Sequence, residues 1–572
     1  MTINQIMVIA LIALVVGIVY AILFTNEKNY DEAIEKTITR DAFAKLWTLL
    51  QTSYYQRYIA FGISIGLVFA LRTPASTKIE KNWVNVEPLV KNLINIITSF
   101  LEMGAWSTKF AYSFISDAVP ICGLRRLPYI LIGLFLIAIS VSIIGIKPFP
   151  EPYYVINNYD NGTCERTDEV NNAETRFEVK YYVIFFMMWY TGIAFSDSVV
   201  DGLITQRSKR EPEETRGRIL AWTRITGKVG LVTSLLLTGF FMNGVQYGGT
   251  FCWSMTINQI MVIALIALVV GIVYAILFTN EKNYDEAIEK TITRDAFAKL
   301  WTLLQTSYYQ RYIAFGISIG LVFALRTPAS TKIEKNWVNV EPLVKNLINI
   351  ITSFLEMGGL YLFMRYLLNI SWRVVVITQG LLSMILEFPI MIMTVFNIYR
   401  NQYFWFADDL VEAIIQSWIF FIAELIAVEY APQGLEGATF AMFWATCNIG
   451  VMGGAFISNF IFGYFNVMED DIYKSDTPAD RLQVFYSFLL SYTLRTIGLV
   501  VVFLIPAQKK QALLWKEVEG GSKARRYIFV FLLVSLFIIS VITNLLPLFK
   551  TTQCMHIAGG MGCKNATGIL LL

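Results

Sequence analysis

The sequence predicts an all-α polytopic membrane protein, and three observations carry this. Only 16% of the 572 residues are charged, against 56% hydrophobic and 15% aromatic, with a mean hydropathy of +0.54; soluble chains carry about 25% charged residues. The apolar residues come in long blocks, such as "PYILIGLFLIAISVSIIGI" from Pro128 and "YIFVFLLVSLFIISVITNLLPLF" from Tyr527, and roughly 20 such residues cross a bilayer as a helix. Basic residues gather in alternate short connections, as the positive-inside rule expects. The lipid bilayer is thus the chain's first partner. A formal net charge of +3 points to no nucleic-acid partner. A single histidine, His556, and six scattered cysteines without a C-x-x-C pair offer no metal site and no cofactor ligands. With no nucleophile or metal cluster in view, an enzyme is not expected.

Taken in order, the chain opens on an anomaly. Residues 1–104 repeat residues 255–358 letter for letter, then the match stops: "LEMG" continues as "AWSTKF" at Ala105 and as "GLYLFM" at Gly359. Structural repeats keep a pattern and diverge in letters, so the identity reads as a recent duplication or an assembly error. The second copy runs on smoothly into "LEMGGLYLFMRYLLNISWR" and is the better candidate for the native one; the first is assigned no functional role.

Apolar spans follow at 128–147, 180–203, 219–243, 256–278, 311–326, 344–368, 373–397, 408–429, 438–465, 484–505 and 527–549. "GLRRLP", "QRSKREPEETRGR" and "AQKKQALLWKEVEGGSKARR" are basic and read as cytosolic. Segment 148–179 is acidic and reads as outside, with a glycosylation acceptor pattern at Asn161; a second lies at Asn565. Outside, Cys164 and Cys252 are one pairing option and Cys554 and Cys563 another, with free thiols the alternative. The expected units are an N-terminal bundle at 105–278, a polar cytosolic linker at 279–310, a C-terminal bundle at 311–506, a basic cytosolic loop at 507–526, an extra membrane helix at 527–549 and an extracytosolic tail at 550–572. Two six-helix bundles joined by a polar linker resemble the plan of the major facilitator transporters.

Four stretches carry candidate chemistry. In "WSTKFAYSFISDAVPICGLRRLPYILIG", Asp117 is placed in the turn after a membrane helix, with Gly123, Arg125 and Arg126 following. An aspartate there can cap a neighbouring helix and bind arginine, latching the bundles on the cytosolic side; plain positive-inside anchoring is the alternative. In "AFSDSVVDGLITQRSKR", Asp197 and Asp201 share one helix face, and carboxylates in a bilayer face a cavity, an ion path or a basic partner. In "LAWTRITGKVG", Arg224 and Lys228 are likewise four apart, positioned to balance those aspartates or bind an anion, while Gly227 and Gly230 suggest close helix packing. In "VEYAPQGLEGATFAMFWATCNIGVMGGAF", Pro432 and Gly434 set a turn, Glu436 enters the first helical turn, Asn448 is a candidate cavity residue and the glycines read as packing. Glu356, Glu424 and Arg495 stand as isolated intramembrane charges; Asp408 and Asp409 lie at a helix mouth.

The first stretch resembles the folate–biopterin transporter family in the phrase W-x-x-K…I-S-D-x-x-P-I-x-G-x-R-R-x-P-Y, with Phe110 and Ser113 departing from the usual Pro and Gly. The resemblance covers about 105–572, extending to the closing "CMHIAGGMGC" of the protist-type branch. It implies a secondary transporter of folate- or pterin-type solutes working by alternating access, with proton coupling through Asp197, Asp201 or Glu424 as a hypothesis. A planar pterin stacks on aromatics and a glutamate tail needs Arg or Lys. The alternatives are a transporter of another small amphipathic solute, or a chimera that no longer transports. The plasma membrane is favoured over an organelle membrane.

Overall fold

The apolar blocks become helices joined by short turns. The computed structural model describes residues 109–518, apart from 149, 152–153, 159–163, 173–174, 248–250, 279–285, 466 and 468–470, together with parts of 520–538 and the pairs 563–564 and 570–571. The first copy 1–104, the acceptor residues Asn161 and Asn565, Cys554 and most of the helix expected at 527–549 lie outside the described residues.

The order is α1 Lys109–Ala118, α2 Leu127–Ile146, strands β1 Tyr154–Asn158 and β2 Cys164–Val170, α3 Thr175–Ser208, α4 Arg218–Phe241, α5 Ile257–Phe278 and α6 Glu286–Leu303. It continues with α7 Ser307–Ala324, α8 Ala329–Asn336, α9 Pro342–Leu362, α10 Trp372–Val395, α11 Gln402–Trp405, α12 Ala407–Tyr430, α13 Glu436–Phe462, α14 Asp471–Ser475, α15 Pro478–Gly498 and α16 Lys509–Val518. Among the described residues, eight helices are long and apolar enough to cross a membrane. Helix α4, with 24 residues, is not in that number, because Arg224 and Lys228 dilute its apolar stretch.

Local chemistry sets several of the turns. Ile121 and Leu124 exchange two backbone hydrogen bonds, at 2.9 and 3.0 Å, across Cys122 and Gly123, which both have positive φ. That is the two-residue turn a glycine makes easy. Proline opens α2, α9 and α15, where its missing N–H costs nothing. At α15 Thr477 and Asp480 form a reciprocal capping box. On the face where β1 and β2 pair antiparallel, with Tyr154 opposite Val170, a disulfide ties Cys164 to Cys252 just before α5.

Helix α2 packs on α3 and α5, while α7 packs on α13 and α9 on α12. The two groups meet where α1 and α3 lie on α13 and where α4 lies on α9. Glycine makes the close crossings possible. A Cβ at Gly320 would collide with the Cys447 carbonyl, one at Gly450 with the Ile317 carbonyl and one at Gly359 with the Ile414 carbonyl. Gly227 does not fit its expected role: a Cβ there would meet open space. Its neighbours on α4 are polar site residues rather than a close-packed helix.

Candidate functional site

The charged residues of α1, α3, α4 and α12 converge in the middle of the bundle. Lys109 Nζ donates to Asp197 Oδ2 at 2.7 Å and to Asp201 Oδ2. Asp201 also receives Arg224 Nη2 at 3.1 Å, and Arg224 reaches Glu424 with Nη2 at 2.7 Å and Nε at 3.2 Å. The guanidinium lies 5.7 Å from the Phe440 ring centroid. The α-helical repeat explains why two residues from α3 can take part: Asp197 and Asp201, one turn apart, stand on one face and share a single ammonium. One turn along α4, Lys228 pairs with Glu356 of α9.

Exposure separates these cations by role. Lys109 is 2% exposed, whereas the Arg224 and Lys228 side chains are 29% and 31% exposed. Lys109 is sealed into the fold, and Arg224 and Lys228 are partly open. Among the described residues of the cluster, Asp197, Asp201 and Glu424 stand against Lys109 and Arg224, so with these five ionised one negative charge is left over. A buried excess charge is costly; a proton or a cationic group of a ligand would balance it.

Further along the same helices, the end rich in arginine is shut. Asp117 lies in the last turn of α1, not in the turn after it, because the helix continues to Ala118. Its Oδ2 accepts from the Ala438 N–H at 2.7 Å, at the start of α13, and its Oδ1 from Arg126 Nη2. Arg126 Nη1 also donates to Ser116 Oγ at 3.1 Å, and Ser116 Oγ donates to the Arg125 carbonyl at 2.7 Å. Arg125 lies beside Gly434. In the α12–α13 turn the Leu435 N–H donates to the Pro432 carbonyl at 3.2 Å, Gly434 has φ +89°, and Glu436 Oε2 accepts from the Gly434 N–H at 3.0 Å. Here a carboxylate caps a helix N-terminus across the two halves, with an arginine neutralising it.

A second set of contacts backs this latch. Arg216 Nη1 contacts both oxygens of Glu429, at 2.9 and 3.1 Å. Lys209 donates to the Ala431 carbonyl, Lys509 to the carbonyls of Glu213 at 2.9 Å and Arg216 at 3.1 Å, and Lys516 to that of Glu429 at 3.3 Å. Thus α16 is bound to the closed end. Burial pushes Lys209 down to about 8 and also lowers Lys509 and Lys516.

Other expected residues fall elsewhere. Arg495 is not part of the central cluster: its Nη1 lies 2.9 Å from Glu387 Oε2, in a cavity between α7, α10, α12 and α15 that Arg326, Gln379 and Glu412 also line. Glu356 is not isolated, since Lys228 meets it. Asn448 is half-buried and donates to the Trp444 carbonyl at 2.8 Å. Asp408 and Asp409 stand in the first turn of α12. Sequence reasoning gave no role to Lys109, Arg216, Glu387 or Glu429. The signal for Lys109 was present, a lone lysine at the edge of an apolar stretch, but its partners lie 88 and 92 residues away.

This arrangement of charged helices between two packed groups is that of a major facilitator fold. A crystal structure of a D-xylose–proton symporter matches with a TM-score of 0.52 at 13% identity, covering 80% of this chain and 99% of that one. A major facilitator superfamily proton:xylose symporter matches with a TM-score of 0.52 at 11% identity, covering 81% and 98%. The chain belongs to the BT1 family, whose sequence pattern matches residues 85–155 and 170–513. That match begins inside the first copy and ends before the closing segment. The "Probable folate-biopterin transporter 4" of Arabidopsis thaliana is 24% identical over 141 residues, which are 25% of this chain and 24% of that protein. The chain thus matches about a quarter of that relative's length.

Proposed function

We propose that the chain is a secondary transporter that moves folate- or pterin-type solutes by alternating access, with a proton riding on the Asp197–Asp201–Glu424 group. The observation that carries this is the central cluster: three carboxylates against two cations, drawn from both helix groups, with half-exposed Arg224 and Lys228 beside it. A site that is one proton short of neutrality couples naturally to a proton. A solute carboxylate competing for Arg224 would release Asp201 or Glu424 to take that proton up. With the Arg-rich end closed and read as cytosolic by the positive-inside rule, solute access in this conformer would be from the opposite side.

The BT1 membership and the name of the Arabidopsis relative support the solute class, and the proton symporters of the same fold support the coupling. The test is uptake of labelled folate, biopterin, amino acids and sugars into proteoliposomes bearing the full chain, with and without an inward proton gradient. Folate or biopterin uptake driven by the gradient is expected, and Asp197→Asn should blunt the pH dependence. Uptake that ignores pH in both proteins would remove the proton from the mechanism; uptake of sugars or amino acids alone would replace the solute class.

A further inference from the structure

One turn beyond the charged cluster, away from the latched end, three half-buried aromatic rings from three helices stand nearly parallel. Phe323 of α7 stacks on Phe420 of α12 with centroids 5.2 Å apart at 22°, and Phe420 stacks on Trp444 of α13 at 5.3 Å and 19°. Phe443 meets the Trp444 ring edge-on at 5.7 Å and 75°, which fixes its orientation. The placement follows from helical spacing. Phe420 is one turn before Glu424, and Trp444 one turn after Phe440, the residues that meet Arg224. Since α4 also runs away from the latched end, Lys228 lies at the depth of the rings and Arg224 one turn below. Trp444 terminates the column, and its indole N–H, though buried, has no hydrogen-bond partner among the described residues. A buried donor without a partner is costly, and the Trp444 ring, held on one face by Phe420 and on one edge by Phe443, is only partly covered.

We propose that Trp444, backed by Phe420 and Phe323, is the platform on which a planar heteroaromatic ring of the solute stacks. The indole N–H donates to an acceptor of the bound solute, and an anionic group of the same solute reaches Lys228 or Arg224. This rests on the transport reading above and assigns the ring end of the solute to named residues. Stacking of a heteroaromatic base on an aromatic side chain is a flat-face recognition that tolerates ring substituents, so specificity among ring systems would come from the N–H contact and the cations.

The test measures equilibrium binding of labelled folate and biopterin to the full chain in lipid nanodiscs, for the wild type, Trp444→Leu, Trp444→Phe and Phe420→Leu. Trp444→Leu should weaken both ligands about tenfold or more. Trp444→Phe keeps a stacking face and loses the donor, so a smaller loss of roughly three- to tenfold is expected. If Trp444→Leu does not yield monodisperse protein, Trp444→Phe and Phe420→Leu decide. Affinities within twofold of wild type in the folded variants would overturn the platform. If the wild type binds neither ligand, the folate and pterin reading fails by itself. The platform is then judged with riboflavin and adenine as probes: binding weakened by Trp444→Leu would sustain it, and no binding, or binding indifferent to the variant, would overturn it.

Discussion

Replacing Lys109 by methionine should damage the protein more than replacing Asp201 by asparagine, although both remove one charge from the same cluster. The reason is the balance of three carboxylates against two cations. At the 2.7 Å separation of Lys109 and Asp197, the gross attraction is about 6 kcal/mol at an effective dielectric of about 20, much of it offset by desolvation. Breaking a buried pair by removing one partner costs roughly 3–5 kcal/mol. Lys109→Met leaves Asp197, Asp201 and Glu424 with Arg224 alone among the described cations of the cluster. Asp201→Asn instead leaves two carboxylates against two cations, and its amide oxygen still accepts a hydrogen bond, so a loss of roughly 1–2 kcal/mol is expected. The variants should therefore differ by about 2–3 kcal/mol, roughly 30- to 150-fold in the folded-to-unfolded ratio. The assay is thermal unfolding of the purified full chain in one detergent, followed by loss of the monodisperse peak. The order wild type, Asp201→Asn, Lys109→Met is expected. A Lys109→Met protein that melts with the wild type, or above Asp201→Asn, would refute the charge count.

Three further outcomes are expected. Glu429→Gln removes the carboxylate whose two oxygens share Arg216 Nη1; a cysteine introduced in the α3–α4 loop should then label with a water-soluble maleimide several-fold faster, and an unchanged rate would show that the latch does not depend on this pair. Lys209 is held down to about 8 by burial in the closed end, whereas a solvated lysine titrates near 10.4. The charged form is the disfavoured one in the closed state, so closure should strengthen as pH rises through about 8, by up to about tenfold between pH 7 and 9. The lowered Lys509 and Lys516 act in the same direction. Lys209→Gln should flatten the pH dependence of labelling, and an identical profile in that variant would exclude Lys209 as its source. Finally, peptide mapping without reductant should recover Cys164 linked to Cys252. Cys252→Ser should lower the melting temperature, because the bridge closes a separation of 88 residues; unlinked peptides, or no shift, would contradict the pairing.

The sequence revealed the helices and individual charges more readily than the partnerships. Hydrophobic blocks exceed bilayer length by themselves, and the four-residue spacings of Asp197 with Asp201 and of Arg224 with Lys228 announce shared faces, so both could be read locally. An arginine on the next helix balancing the aspartates could be anticipated too, but most longer-range partners could not. Lys109 and Asp201 are 92 residues apart and Arg216 and Glu429 are 213 apart, and nothing in either neighbourhood names the other. Arg495 illustrates the same limit: an intramembrane arginine is conspicuous, yet its placement with Glu387 rather than Glu424 depends on how α10, α12 and α15 pack. Gly227 shows the opposite error, a spacing that suggests contact where the fold leaves room.

Helix α4 holds two cations one turn apart, and each is tied to a different helix of the other group: Arg224 to α12, Lys228 to α9. The backbone between them is a single helical turn, so an axial shift of α4 would load both ties at once. A shift of that kind would work like a ratchet pawl, and freeing a single tooth, Arg224 or Lys228, would blunt its step.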